Sequence, residues 1–303
     1  MSSTADHQPP QVDGATASVS YHLPAPALRE AITTYYLVKV AGSGVVRDQI
    51  FPEWPNFRMI LSGDWTADFP SEPTQPVPVD GATGALERAV WVEGTAGLMV
   101  GVGLMPQGWR RFTDLPADDF TNRMRPLADV LGPAADDLHA RLVAAAPQGD
   151  VALYAVLDEI LPGLLRPAQP QAQMVGQAHR ALQDPEVQTV AQWADTVCLS
   201  ARQLERFCRR YLGLSPKRLL RRQRLLRTLA AMRDAPAGGW TQFLDDQYAD
   251  QAHFIHEFNY YMGMTPKAYV TRVAPFMAEA WKRRKELLGS PVQVLQPPSK
   301  PPQ

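Results

Sequence analysis

The chain has 303 residues, 45% of them hydrophobic and 20% charged, which is the ordinary balance of a soluble globular protein with room for about two domains. No apolar run reaches the roughly 18 residues of a membrane helix, and the start MSSTADHQPPQVDG lacks the basic and apolar blocks of a secretory signal, so a cytoplasmic chain without a membrane partner is expected. The net charge of −1 hides a segregation: between Leu199 and Arg233 eleven basic residues stand against Glu205 alone, making this segment +10 and the rest −11, which suggests a negatively charged partner for that region only.

Residues 1–20 are polar and aperiodic and read as a disordered tail. From Tyr21 to about Met105 short apolar or alternating runs, TTYYLVKV, NFRMIL, RAVWVE and GLMVGVGLM, are separated by Gly, Pro and Asp, the pattern of a β-rich unit, with Pro70 to Asp80 as a surface connection. Trp54, Phe57, Trp65, Trp91 and Trp109 supply aromatic surface for a ligand pocket, although aromatics in a β core are more often simply core.

Two helices are predicted next, Asp129 to Ala146 and Val151 to Leu165. In the second, Leu153, Leu157, Ile160, Leu161 and Leu164 form a stripe that packs either on its own β unit or in a homodimer. RPAQPQAQ, residues 166–173, has the composition of a linker closing the unit 21–165. From about Met174 the pattern is helical apart from turns at Leu199-Ser200, Gly213, PAGG 236–239 and Gly263, and the end SPVQVLQPPSKPPQ is proline-rich. The fold class is therefore α+β, a β-rich domain ahead of an all-α one over residues 174–275, with 276–303 as a helical and then proline-rich tail. The two cysteines, Cys198 and Cys208, read as buried thiols.

A single shape occurs twice within the helical region. ARQLERFCRRYLGLSPK, residues 201–217, returns as QAHFIHEFNYYMGMTPK, residues 251–267. Leu204 with Cys208, and Phe254 with Phe258, mark the buried edges; Gly213 and Gly263 fit the left-handed position that ends a helix, and Ser215-Pro216 and Thr265-Pro266 start the next. Ser200 and Asp250 are natural caps, and shorter helices, TVAQWADTV and TQFLDDQ, precede them. Each copy is thus a helix-turn-helix.

On the first copy Arg202, Glu205, Arg206 and Arg209 share an exposed face, with Ser200, Gln203 and Arg210 beside it, and a guanidinium fork on such a face suits the guanine edge in a major groove. Lys217, Arg218, Arg221, Arg222 and Arg224 open the long helix between the copies and are expected to meet phosphates. The second copy offers Gln251, Ala252, His253, His256 and Asn259 and carries four acids, Asp245, Asp246, Asp250 and Glu257, against Lys267, so its base readout is an open question. His253 and His256 lack the HExxH spacing, and no cofactor or metal is expected.

These residues resemble the AraC/XylS family of transcriptional regulators across roughly Met174 to Val270: LSARQLERFCRRYLGLSPK is similar to its first recognition helix, and YADQAHFIHEFNYYMGMTPKAY to the signature closing its second motif. The resemblance implies two helix-turn-helix units joined by one long helix, with contacts on Arg202, Glu205, Arg206 and Arg209 and on Ala252, His253, His256 and Asn259. Departures are Cys208 for a usual phenylalanine, Gln247 for a glycine, and Asn259-Tyr260 for a commonly basic pair. FPEWPNFRMIL, LMVGVGLMPQGW and DLPADDFTNRMRPLADVLG are similar to the barrel-like effector domain of one branch. Double-stranded DNA is the implied partner, with RNA polymerase, a small-molecule effector and a second copy of the chain as further candidates. A regulator acting mainly through protein partners is the alternative, and no nucleophile, carboxylate pair or phosphate loop for an enzyme can be assembled.

Overall fold

The computed structural model describes residues 11–12, 14–70, 72, 74–234, 248, 250–271 and 277–296. Among them the strands run β1 Gln11–Val12, β2 Ala15–His22, β3 Ile32–Gly42, β4 Val46–Ile50, β5 Asn56–Ser62, β6 Trp65–Asp68, β7 Gln75–Pro76, β8 Asp80–Thr83, β9 Val90–Gly94, β10 Gly97–Leu104 and β11 Met124–Pro126. They form two antiparallel sheets, of order β1-β2-β3-β10-β5-β8-β11 and β4-β9-β6-β7, which face each other without closing into the barrel the sequence suggests.

Period-two alternation decides which core each strand serves. In β3, Tyr35 and Leu37 face the helices while Val38 and Val40 face the second sheet, and β10 divides Val100 and Val102 from Met99 in the same way. Gly101 has no side chain because its neighbour needs the room: a Cβ there would lie 1.9 Å from Tyr36 Cζ, so Tyr36 lies flat across β10.

The helices are α1 Pro106–Phe112, α2 Ala128–Leu131, α3 Ala134–Ala145, α4 Asp150–Leu164, α5 Pro170–Gln183, α6 Val190–Thr196, α7 Ala201–Leu212, α8 Pro216–Asp234, α9 Gln251–Met262, α10 Pro266–Thr271 and α11 Met277–Leu288. Leu153, Leu157 and Leu161 of α4 enter the core that the large sheet shares with α1 and α3, so the stripe is covered by its own β unit. Four expectations are corrected. The supposed tail up to residue 20 contains most of β2, whose small inward residues Ala15, Ala17 and Val19 pair it along β3. The surface connection carries the short strand β7, paired with β6. The linker is shorter than 166–173, because α5 starts at Pro170, where proline suits a first turn. Cys198 is exposed and sits at φ 54° in the tight turn before α7, whereas Cys208 is buried. TQFLDDQ and the PAGG break lie outside the described residues.

The two halves share one core. Phe51, Trp54 and Ala85 of the β unit pack with Trp193, Leu204, Leu225 and Phe258 of the helices. Polar contacts repeat the union: Arg222 Nη1 donates to Leu86 O at 2.8 Å, Ala89 N to Tyr261 O at 2.8 Å, and Thr121 Oγ1 to Gly213 O at 2.8 Å. Beyond α10 the chain returns to the β unit, where α11 packs on β2 and β4.

Candidate nucleic-acid interface

The first unit is α6 and α7. Each opens on a capping box: Thr189 with Gln192, and Ser200 with Gln203, where Ser200 Oγ accepts from Gln203 N at 3.3 Å and Ser200 N donates to Gln203 Oε1 at 2.8 Å. Ser200 and Gln203, expected at the DNA, are engaged in setting where the helix begins. Leu204, Phe207, Cys208 and Leu212 bury the underside of α7, and Gly213 closes it in the left-handed conformation at φ 82°.

With the underside fixed, Arg202, Arg206, Arg209 and Arg210 stand exposed and Glu205 half-buried. Arg209 Nε donates to Glu205 Oε1 at 2.8 Å, which orients that guanidinium along the helix. The far end of α7 adjoins residues 117–120 of the β unit, forming a groove of about 690 Å³ lined by Asp118, Asp119, Arg206, Arg209 and Arg210 among others. Neither aspartate pairs with those arginines within 4 Å. The basic flank is bordered by acids without being neutralised by them.

The basic start of α8 divides into two populations. Lys217 and Arg218 are exposed, Arg218 reaching Glu87 at 3.4 Å. Arg221, Arg222 and Arg224 do not fit the phosphate role expected of them. Arg222 is 0% exposed, lies 4.1 Å over the Trp54 ring and donates to the carbonyls of Glu53 and Leu86. Burial pulls its pKa down to about 9, so it remains a cation at neutral pH. Arg221 Nε and Arg224 Nη2 instead reach the fully buried Glu257, at 3.1 and 2.8 Å. Their physical reason is the carboxylate itself, whose burial demands compensating charge.

That pairing also alters the second unit. Glu257 lies on the core side of α9 with Phe254, Phe258, Tyr261 and Met262, and its charge is met by α8, so the acidity of this unit toward solvent is less than its residue count implies. Asp250 caps α9 by accepting from His253 N at 2.7 Å. Gln251, Ala252, His256 and Asn259 are exposed, while His253 is half-buried with Nε2 3.7 Å from Glu257. Tyr260 OH donates to Glu87 Oε1 at 3.2 Å, and Gln49 Nε2 to Met262 O at 2.7 Å, so the end of α9 is fastened to the β unit. The two recognition helices therefore share one platform besides being joined through α8.

The five aromatic residues expected at a pocket scatter. Trp54 lies in the joint against Arg222 and His179; Phe57 and Trp109 are core of the large sheet; and Trp91 lies under Arg47 at 5.0 Å. Trp65 alone of the five lines a cavity of about 110 Å³ between the sheets. Its apolar wall includes Val38, Ile60, Val92 and Met99; Glu53, Arg58 and Arg284 supply charge. Arg284 had no sequence signal, because it comes from beyond the repeated units.

A comparison with known families matches residues 193–272 to a helix-turn-helix domain, the AraC type. None of the curated proteins matches the chain. Among solved structures it is similar to ToxT from Vibrio cholerae, with TM-score 0.41 and 9% identity over 86% of this chain and 98% of that one. It is also similar to the AraC-like transcriptional activator CuxR, with TM-score 0.27 and 15% identity over 75% and 91%. Residues 193–272 thus carry a helix-turn-helix domain of the AraC type.

Proposed function

We propose that the protein is a sequence-specific DNA-binding regulator of transcription that reads the major groove mainly through α7, with the β-rich unit receiving a small-molecule effector between its sheets. One observation carries the reading: α7 is capped and held by its apolar underside, while Arg202, Arg206 and Arg209 project into solvent. Arg202 and Arg206 supply the forks that match guanine O6 and N7, each good pair contributing about 1–3 kcal/mol of discrimination. Lys217 and Arg218 are the phosphate contacts that remain once Arg222 is assigned to the interior and Arg221 and Arg224 to Glu257. In α9, Gln251, Ala252, His256 and Asn259 form the face available to a second groove segment, and Asn259 and Gln251 suit adenine. The fastening of Tyr260 and Met262 to the β unit supports a second role for α9, that of holding the domain at a fixed angle.

Selection of bound duplexes from a random pool, at two salt concentrations, tests the proposal. A regulator retains a defined set of sites as salt rises; uniform loss of all sequences identifies non-specific basic adhesion and defeats the reading.

A further inference from the structure

Four consecutive residues in the loop between β8 and β9 each touch a helix of the repeated units. Leu86 O accepts from Arg222 of α8 at 2.8 Å, and Ala89 N donates to Tyr261 O of α9 at 2.8 Å. Between them, Glu87 accepts from Arg218 of α8 at 3.4 Å and from Tyr260 of α9 at 3.2 Å, while Arg88 lies 5.0 Å over the Tyr260 ring. A second loop carries the contact to the first recognition helix. Asn122 Oδ1 accepts from Glu87 N at 2.7 Å, and its neighbour Thr121 donates to the carbonyl of Gly213, which ends α7. Asn122 holds the left-handed conformation at φ 57°, which asparagine adopts more readily than most residues. An unbroken run of contacts thus joins the end of α7 to the end of α9 through the β unit.

Glu87 is the centre of this run. It is 3% exposed, and a carboxylate buried to that degree needs its oxygens met. Different units meet them: Oε2 faces Arg218 at the start of α8, and Oε1 faces Tyr260 in the last turn of α9. The Arg218 side chain remains 54% exposed, so the pairing leaves its outer side for a phosphate. α9 is also tied to α8 through Glu257. That tie alone leaves the helix a pivot; the ties of Tyr260, Tyr261 and Met262 to the β unit, about one turn further on, remove it.

We propose that loops 86–89 and 121–122 are a spacer that fixes the separation of the two base motifs the protein reads, with Glu87 as its positioning residue. This rests on the reading of α7 and α9 as recognition helices, and it places a determinant of specificity outside the matched domain 193–272. Duplex geometry makes the constraint selective. With about 10 base pairs per turn, moving a motif by one base pair carries it about 3.4 Å along the axis and about 36° around it. Two helices held at one distance and angle accept one spacing, whereas two that pivot accept its neighbours.

The full chain is titrated with the duplex that wild type selects from a random pool, and with the same duplex carrying one base pair more or one fewer between the two motifs. Wild type is expected to bind the selected spacing at least about ten-fold more tightly than either altered one. Glu87→Ala loses that preference while keeping both motifs. Tyr260→Phe, which removes only the bond to Glu87 Oε1, loses part of it, and the double variant is no worse than Glu87→Ala because both changes act on one bond. Glu93→Gln, at a half-exposed acid of β9, leaves the preference intact. Should Glu87→Ala not fold, Tyr260→Phe beside Glu93→Gln still decides. A spacing preference as sharp in Glu87→Ala and Tyr260→Phe as in wild type overturns the proposal. So does an equal fall in affinity for all the duplexes, which marks a structural role alone. Selection of a single motif by wild type also overturns it, by removing α9 from the readout, and leaves the regulator reading standing. Selection of no motif by wild type defeats the regulator reading itself and the proposal with it.

Discussion

His179 gives the joint between the two halves a pH dependence whose sign and size follow from its surroundings. It is fully buried on α5, edge-on to Trp54 at 5.3 Å, with Nε2 3.1 Å from Gln183 Nε2, so this nitrogen accepts and the ring is neutral. Burial, with Arg222 and Arg180 nearby, lowers its pKa to about 3 from 6.5. Between those values the unfolded chain takes up a proton that the folded chain refuses. The stabilisation is complete above pH 6.5 and is lost as pH falls toward 3, at about 1.4 kcal/mol per pH unit. From pH 6.5 to 5, before most carboxylates titrate, the loss is about 2 kcal/mol. Urea unfolding followed by tryptophan fluorescence at pH 7.5, 6.5, 5.5 and 5.0 measures it. Wild type should lose that amount over the interval, and His179→Gln, whatever its starting stability, should not. Parallel curves for the two proteins would refute the burial argument.

Three further outcomes are expected. Glu257→Ala leaves Arg221 and Arg224 facing each other without their carboxylate and should cost about 3 kcal/mol in urea unfolding; a loss under about 1 kcal/mol means the pair acts as a surface one. Gly213→Ala places a Cβ 2.3 Å from Thr121 Oγ1 at a φ of 82° and should cost about 1–2 kcal/mol by the same measurement, with neutrality excluding the strained turn. Arg222→Met should reduce stability while leaving the salt slope of DNA binding unchanged, whereas Lys217→Ala should flatten that slope by about 0.9; a flattened slope for Arg222→Met would restore it to the phosphate face.

The repeated helix-turn-helix was readable because local chemistry dictates it: Ser200 and Asp250 cap, Gly213 and Gly263 terminate, and apolar residues recur at three and four. Position on the helix, and not charge, decides which arginines of α8 are buried. Arg222 falls three residues after Leu219 and four before Leu226, on the buried stripe, and Glu257 falls between Phe254 and Tyr261 on that of α9. Spacing was therefore a better guide than polarity, but buried charges need a partner, and neither Trp54 nor Glu257 could be assigned to those arginines from local sequence. β2 was missed because alanines and serines give a weak alternation until β3 pairs with it. The cavity was not legible at all, since its walls come from both sheets and one of its three charges, Arg284, from α11, over 200 residues from Tyr21. Only one of the five aromatics lines it: Phe57 and Trp109 fill the core of the large sheet, Trp54 lies in the joint, and Trp91 lies under Arg47.

The central claim is that the free flank of α7 reads bases. It is tested most directly by the binding-site profile of Arg206→Ala beside that of wild type, both selected from the same random pool at the same salt. Relaxed preference at one base pair, by about 1–3 kcal/mol, with the remaining positions unchanged, is the predicted result. A uniform fall in affinity across all sequences, or an unchanged profile, would contradict it.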